Sequence, residues 1–237
     1  MLTVLFSTLG FSTPPVSPRN FASASSWDDA YAAPGGTDVA DWLLPWDEDC
    51  SLLKTALQDA LLPVERTSRV LELGSGTSDL ASKLVCDGGF KDVTGSDLSE
   101  TAVRAACVAP HNQQAGTSLV FEVVDARETT FPSGQFAAVI DKGTLDAICT
   151  QDGFDYEAGL MSAEVARIME PGGRWISISL MPGHVIIPLL ERAEWESIES
   201  QTLSTAAGVS GTSVVHMHVA VRATLETAEK RPQRSKL

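Results

Sequence analysis

The chain has 237 residues, 43% of them hydrophobic, and a formal net charge of −14, which fits one domain with an extension and a substantial core. Such a charge repels a long phosphate backbone on average; it disfavours a nucleic-acid substrate and suits a basic or neutral protein, or a small molecule. No apolar run approaches the ~18 residues of a membrane span, and the four cysteines (Cys50, Cys86, Cys107, Cys149) are scattered without metal-ligand spacing, so no metal is expected and the thiols read as reduced.

Residues 1–26 hold no acidic residue and one basic residue, Arg19, and are rich in Ser, Thr and Pro. They read as a disordered extension or as an organelle-targeting segment. The expected compartment is the cytoplasm, or the mitochondrion if this stretch is a transit peptide. Trp27-Asp28-Asp29-Ala30-Tyr31 and Asp41-Trp42-Leu43-Leu44-Pro45-Trp46 put three Trp and one Tyr within 20 residues. Either these aromatics pack a helix on a sheet edge, or they cover a ligand or line a channel. A helical pattern over residues 51–62, capped by Asp49 or Ser51, stops at Pro63.

The core domain opens with Val70-Leu71-Glu72-Leu73-Gly74-Ser75-Gly76, an apolar run into Gly-x-Gly, followed by an amphipathic helix over residues 78–86. Strand, tight turn and helix in that order open a doubly wound α/β domain whose ligand lies at the strand's carboxyl end. The glycines allow close backbone approach to a ligand, and the next helix offers free N–H groups there. A dinucleotide fingerprint would have a third glycine where Asp79 stands. Glu72 suits an ammonium-bearing ligand better than a pyrophosphate. The second strand, residues 92–97, ends in Asp97, at about the spacing that reaches a ribose diol.

A helix capped by Ser99 runs to Cys107, then a polar loop over residues 111–116, a third strand ending at Asp125, and an almost wholly apolar fourth strand ending at Asp141. A helix over residues 156–169 stops at Pro171-Gly172-Gly173, a fifth strand covers residues 174–180, and a loop carries His184. Two further strands, residues 194–203 and 214–223, and a charged tail from residue 226 complete the chain. The expected fold is α/β, a doubly wound, seven-stranded, mostly parallel sheet with the last strand antiparallel. The domain spans residues 27–225.

The strand ends read Gly74/Gly76, Asp97, Asp125, Asp141 and His184. This pattern resembles the class I S-adenosylmethionine (SAM) methyltransferases. Asp141-Lys142-Gly143-Thr144-Leu145-Asp146-Ala147 is similar to the D-K-G-T-L-D-A signature of the branch that holds the eukaryotic lysine methyltransferases of elongation factor 1A and citrate synthase. Gly74-Ser75-Gly76-Thr77-Ser78 resembles its G-x-G-N-S motif with Thr77 in place of Asn, and Trp27 to Tyr31 its W-D-x-x-Y start. The family's Arg after the His that follows strand five is Val185 here, which removes an expected polar contact to substrate.

The resemblance implies SAM as cofactor. Asp97 takes the ribose hydroxyls, Leu98 lies under the adenine, and Asp125 with Ala126 meets the adenine amino group. Glu72 and the Gly74-Ser75-Gly76 backbone hold the methionine end, with Trp27 and Tyr31 as further cofactor contacts. Asp141 positions the acceptor amine, Lys142 turns away and pairs with a carboxylate such as Asp146, and Trp42, Trp46 and His184 meet the substrate. The implied activity is protein-lysine N-methylation. A small-molecule N- or O-methyltransferase and a SAM-binding interaction domain without catalysis stay open beside it, as does the oligomeric state.

Overall fold

The computed structural model describes residues 21, 23–36, 43–46, 52–150, 153–203 and 214–224. Most of the N-terminal extension, the helix cap at Asp49 or Ser51, Trp42 and the charged tail lie outside the described residues. In chain order the elements are α1 (Ala24–Ala32), α2 (Leu52–Ala60), β1 (Arg69–Leu73), α3 (Leu80–Cys86), β2 (Asp92–Asp97), α4 (Glu100–Val108), α5 (Pro110–Gln113), β3 (Leu119–Val123), β4 (Phe136–Lys142), α6 (Thr144–Ile148), α7 (Phe154–Ile168), β5 (Met169–Ser179), α8 (Gly183–Leu190), β6 (Trp195–Leu203) and β7 (Val215–Arg222).

The sheet order is β3-β2-β1-β4-β5-β7-β6, with β7 antiparallel to both neighbours and the other pairings parallel. The order reverses between β1 and β2 on one side and β1 and β4 on the other, the crevice where doubly wound sheets bind ligands. Strands β1 and β4 alternate between two apolar layers, as the two-residue period of a pleated strand requires. Val70, Ala138 and Ile140 face α2 and α3, with Leu57 and Leu84. Leu71, Leu73 and Val139 face α6 to α8, with Leu145, Met161 and Leu190.

Three local readings change. His184 lies in the first turn of α8 rather than in a loop. The helix is short, so Pro188 removes only one internal N–H donor and is accommodated. Residues 110–113 form a helical turn with Pro at its start, where the missing N–H has no helical partner to lose. The turn Pro171-Gly172-Gly173 lies within β5, beside a register shift against β4, because α7 already ends at Ile168.

The glycine loop after β1 is fixed by its neighbours. The Gly74 and Ser75 amides both donate to the Ser96 carbonyl at the end of β2, at 2.7 Å. Thr144 Oγ1 donates to the Leu73 carbonyl at 2.8 Å. A Cβ on Gly74 would lie 1.9 Å from that Oγ1, and Gly74 has φ +77°. The close approach that demands glycine here is therefore made by the protein's own α6. Gly89 shares nearly the same φ, +76°, with open space around it. Gly89→Ala is expected to cost about 1–2 kcal/mol from backbone strain alone. Gly74→Ala is expected to cost about 1–3 kcal/mol more, from overpacking against Thr144. Urea unfolding of both variants measures the difference, and equal losses would sink the interlock.

Candidate active site

The pocket opens at the carboxyl ends of β1 to β4 and encloses about 840 Å3, part of it open to solvent. Of the residues named from sequence, Glu72, Gly74, Ser75, Gly76, Asp97, Leu98, Asp125, Ala126, Trp27 and Tyr31 line it. They come from three strand ends and one helix. The topology alone brings them together, since parallel strands end on one edge.

Asp97 organises the centre. Its Oδ2 accepts from the Gly76 amide and its Oδ1 from the Ser99 amide, each at 2.8 Å. Burial pushes its pKa up to about 6, against the pull of those amides. Each carboxylate oxygen has a second lone pair, so the group still accepts hydroxyls from a ligand. Glu72 is buried and accepts from Ser78 Oγ at 3.1 Å.

Helix α1 covers the opening. Asp28 Oδ1 accepts from Ser99 Oγ at 2.6 Å and from the Thr101 amide at 3.0 Å. The Ser99 hydrogen bond, then that of Thr101, holds the Asp28 carboxyl below its ordinary value. Trp27 and Tyr31 stack with ring centroids 5.8 Å apart, and the Trp27 indole N–H donates to the Phe21 carbonyl. A Cβ on Gly76 would come within 2.6 Å of the Tyr31 hydroxyl. Burial, with the Asp97 charge adding to it, raises the Tyr31 pKa, so the phenol remains a neutral hydrogen-bond donor. Of the two readings of the aromatic cluster, the cover fits Trp27 and Tyr31.

Asp125 is clamped by Arg127, whose Nε and NH2 groups reach its two oxygens at 2.9 and 2.7 Å. Burial raises the Asp125 pKa, but the side-chain and backbone hydrogen bonds of Arg127 outweigh it and hold the carboxyl below its ordinary value. Arg127 NH1 also donates to Glu157 of α7 at 2.8 Å.

Three expectations are corrected, and His184 is placed outside this pocket. Asp141 is fully buried and does not line the pocket; Trp175 Nε1 donates to one of its oxygens and the Leu145 amide to the other. It shares the strand face of Val139, which looks toward α7. Burial drives its pKa up to about 7 against those hydrogen bonds. Lys142, one residue on, faces the pocket instead of turning away, and Asp146 receives the Leu180 amide. Trp46 is buried against α2 and α3, its indole N–H on Asp87 at 3.1 Å. His184 is absent from the pocket lining and stands near His216 of β7. Trp42 lies outside the described residues. Sequence reading missed Phe21, Arg127, Lys142 and Thr144 as lining residues. Arg127, two residues beyond a strand-end carboxylate, carried a readable signal; Phe21 carried none.

The donor set defines the ligand. Glu72, Asp97 and Asp125 give the pocket three carboxylates, which disfavour a pyrophosphate. Ser75 Oγ is buried in the lining without a hydrogen-bond partner in the protein. Hydroxyl acceptors at the centre, carboxylates at both ends and an aromatic cover fit a nucleoside with a cationic tail, as in SAM.

Comparison with known proteins agrees. Residues 70–173 match the family of the methyltransferase domain. The chain is 36% identical to "EEF1A lysine methyltransferase 4" of Bos taurus over 166 residues, 67% of this chain and 61% of that protein. It is 33% identical to "eEF1A lysine and N-terminal methyltransferase" of Danio rerio over 172 residues, 73% of this chain but only 23% of that protein. Among solved structures, the [4+2]-cyclase SpnF shares the fold with a TM-score of 0.65 at 15% identity, over 88% of this chain and 98% of that one. Haemonchus contortus phosphoethanolamine N-methyltransferase 2, solved with SAM, gives 0.60 at 16% identity, over 88% and 60%.

The chain carries a methyltransferase domain over residues 70–173, and the pocket fits SAM as its cofactor. It is similar to proteins named eEF1A lysine methyltransferases and spans 61% of the Bos taurus relative and 23% of the Danio rerio one.

Protonation of Asp97 removes a hydroxyl acceptor. Affinity for S-adenosylhomocysteine is therefore expected to fall about tenfold as pH drops from 7.5 to 5, through the Asp97 value of about 6. Asp97→Asn is expected to bind weakly at both pH values. Calorimetric titration measures this, and a pH-independent wild type would remove Asp97 from the hydroxyl contact.

Proposed function

We propose that this protein transfers a methyl group from SAM to a lysine side chain of a protein partner. The observation that carries the reading is the carboxylate-lined pocket under α1, held by a chain that is 36% identical to a relative named for lysine methylation. The formal net charge of −14 suits a basic partner. Cytoplasmic residence is proposed with it; Cys86, Cys107 and Cys149 are unpaired thiols, as a reducing compartment allows.

Bound SAM supplies an electrophilic methyl on a sulfonium sulfur. The protein's own contribution is alignment. Asp97 sets the nucleoside, Glu72 and the Gly74-Ser75-Gly76 loop set the methionine end, Trp27 and Tyr31 of α1 exclude water above them, and the Asp28 contacts hold α1 in place. Fixing donor and acceptor in line is the main source of rate in such a displacement. Asp141 acts at one remove, by capping α6 beneath the pocket.

A lysine acceptor must arrive neutral, at a cost of about 4–5 kcal/mol at pH 7 from an unperturbed pKa near 10.4. This gives a test that separates acceptors, since the Danio rerio relative is named for N-terminal as well as lysine methylation. Labelled-methyl transfer into a cell lysate should mark proteins on lysine. With the isolated target, log(kcat/KM) should rise with unit slope up to about pH 9.5 for a side-chain amine. A plateau near pH 8 would assign an α-amine. Label confined to small molecules would overturn the protein-substrate reading, and cofactor binding without any transfer would leave an interaction domain.

A further inference from the structure

The carboxyl end of the sheet carries, away from the pocket, a buried polar layer across β4, β5 and β7. Strand pairing sets Asp141 of β4 beside Ser177 of β5, and Ser177 beside His218 of β7. This row lies on the sheet face that looks toward α6 to α8, the face of Val139 and Trp175 two residues back. All three side chains are buried, with 0%, 1% and 0% exposed. Ser179 and His216 extend the layer one step further, while Ile178 and Met217 between them belong to the apolar core of the other face.

The layer holds the turn that leads from β5 into α8. The Leu180 amide donates to Asp146, the Met181 amide donates to Ser179 Oγ, and His218 Nε2 meets the Met181 carbonyl, each at 2.9 Å. A carbonyl only accepts, so His218 carries its proton on Nε2 and presents Nδ1 as an acceptor. That Nδ1 is buried without a hydrogen-bond partner. Ser177 Oγ beside it closes no hydrogen bond either, though its hydroxyl stands near enough to Asp141 to favour the carboxylate.

Proton counting accounts for both atoms. The hydrogen bonds of Asp141 come from the Trp175 indole and the Leu145 amide, neither of them charged, and Asp146 is a neighbour of like charge. A buried carboxylate with neutral donors takes up a proton instead. Neutral Asp141 has an O–H to donate, and Ser177 Oγ is the acceptor beside it. Ser177 then donates its own hydrogen to His218 Nδ1. Cross-strand neighbours have Cβ atoms about 4.5–5.5 Å apart, a span that side-chain rotation or one internal water closes. Ionised Asp141 instead draws the Ser177 hydrogen to itself, and Nδ1 has no donor.

We propose that Asp141, Ser177 and His218 form a proton-operated latch on the turn into α8. With the proton on Asp141, a chain of donors runs from Asp141 to the Met181 carbonyl; without it, the chain breaks at Ser177 and the turn loosens. The turn stands at the carboxyl edge of the sheet, one strand beyond β4. The titratable groups around the latch are Asp146 of α6, Cys149 just after it, and His216, which stacks on His218 at 6.1 Å and has His184 near it. Leu73 of β1, Met161 of α7 and Ile186 of α8 bring no charge to this face. Burial drives Asp141 up to about 7 and His218 down to about 4. From about pH 6 to about pH 8 the aspartate therefore changes charge and the histidine does not.

The test is NMR of the protein with isotope-labelled histidine over that range, together with amide hydrogen exchange at Leu180, Met181, Val185 and Ile186. In the wild type the His218 Nδ1 signal is expected to move with a midpoint near the Asp141 value of about 7. Protection of those amides should fall about tenfold across it, as for the loss of one buried hydrogen bond. Asp141→Asn keeps a donor and does not titrate, so it should hold the low-pH signal and protection throughout. Ser177→Ala breaks the chain without touching the carboxyl and should abolish the His218 response. A wild-type His218 signal that stays constant would overturn the latch. The same movement in either variant would do so too, because Asp146, His216 or His184 would then be its source. Movement of the signal with unchanged amide protection would also sink it, since the turn would not feel the proton.

Discussion

One buried carboxylate joins most of what surrounds the pocket. Asp97 receives the Gly76 amide from the β1 loop and the Ser99 amide from the start of α4. Ser99 then caps α4 through the Ala102 amide and donates its hydroxyl to Asp28 of α1. A continuous path of hydrogen bonds thus runs from the covering helix to the glycine loop, and Asp97 is its middle link. Burying a charge is costly unless hydrogen bonds offset it, and a pKa pushed up to about 6 shows that the amides offset burial only in part. The group that a ribose diol needs is held in place by the backbone it organises. Tyr31 enters the space that a side chain at position 76 would occupy. Cover, loop and carboxylate therefore specify one another.

A second joint lies across β4, and it gives the D-K-G-T-L-D segment a structural meaning. Asp141 and Asp146 point into the protein, where they accept the Leu145 and Leu180 amides. Gly143 turns the chain with φ +84°, a conformation that favours glycine. Thr144 ties the start of α6 to the Leu73 carbonyl, and Leu145 is wholly buried. The carboxylates in this segment brace the floor of the pocket. Both carry pKa values pushed up by burial, to about 7 and about 6. A raised pKa is thus no sign of chemistry by itself, because bracing groups under a site are buried as deeply as working ones.

The mostly parallel sheet and the central pocket residues were legible because they depend on chain-local patterns. Apolar runs ending in Gly or Asp mark parallel strands, and parallel strands deliver their ends to one edge. What was not legible depended on parity and long-range packing. A one-residue step on a strand reverses the face, so Asp141 and Lys142 exchanged their expected sides although β4 was placed correctly. Trp46 looked like an aromatic for a channel, yet its neighbours Leu44, Leu57 and Leu84 draw it into the core. No local pattern distinguishes those outcomes. Pro182 and Gly183 break the apolar pattern around His184, yet Pro182 only precedes the helix that Gly183 begins. The Arg127 clamp on Asp125 needs no long-range information. An Arg two residues past a strand-end carboxylate reaches back to it, and that spacing is readable in advance.

The charges of the pocket favour one form of the cofactor over the other. Glu72, Asp97 and Asp125 contribute three negative charges to the lining, and Lys142 and Arg127 two positive ones. One negative charge remains. SAM carries two positive groups and one negative, a net charge of plus one, whereas S-adenosylhomocysteine is neutral overall. Their difference is the sulfonium, whose charge leaves with the methyl group. A lining of net charge minus one therefore attracts the donor more than the spent product, in a site where burial weakens solvent screening. Arg127 is engaged by Asp125 and Glu157. Discrimination between donor and product falls to the carboxylates Glu72, Asp97 and Asp125.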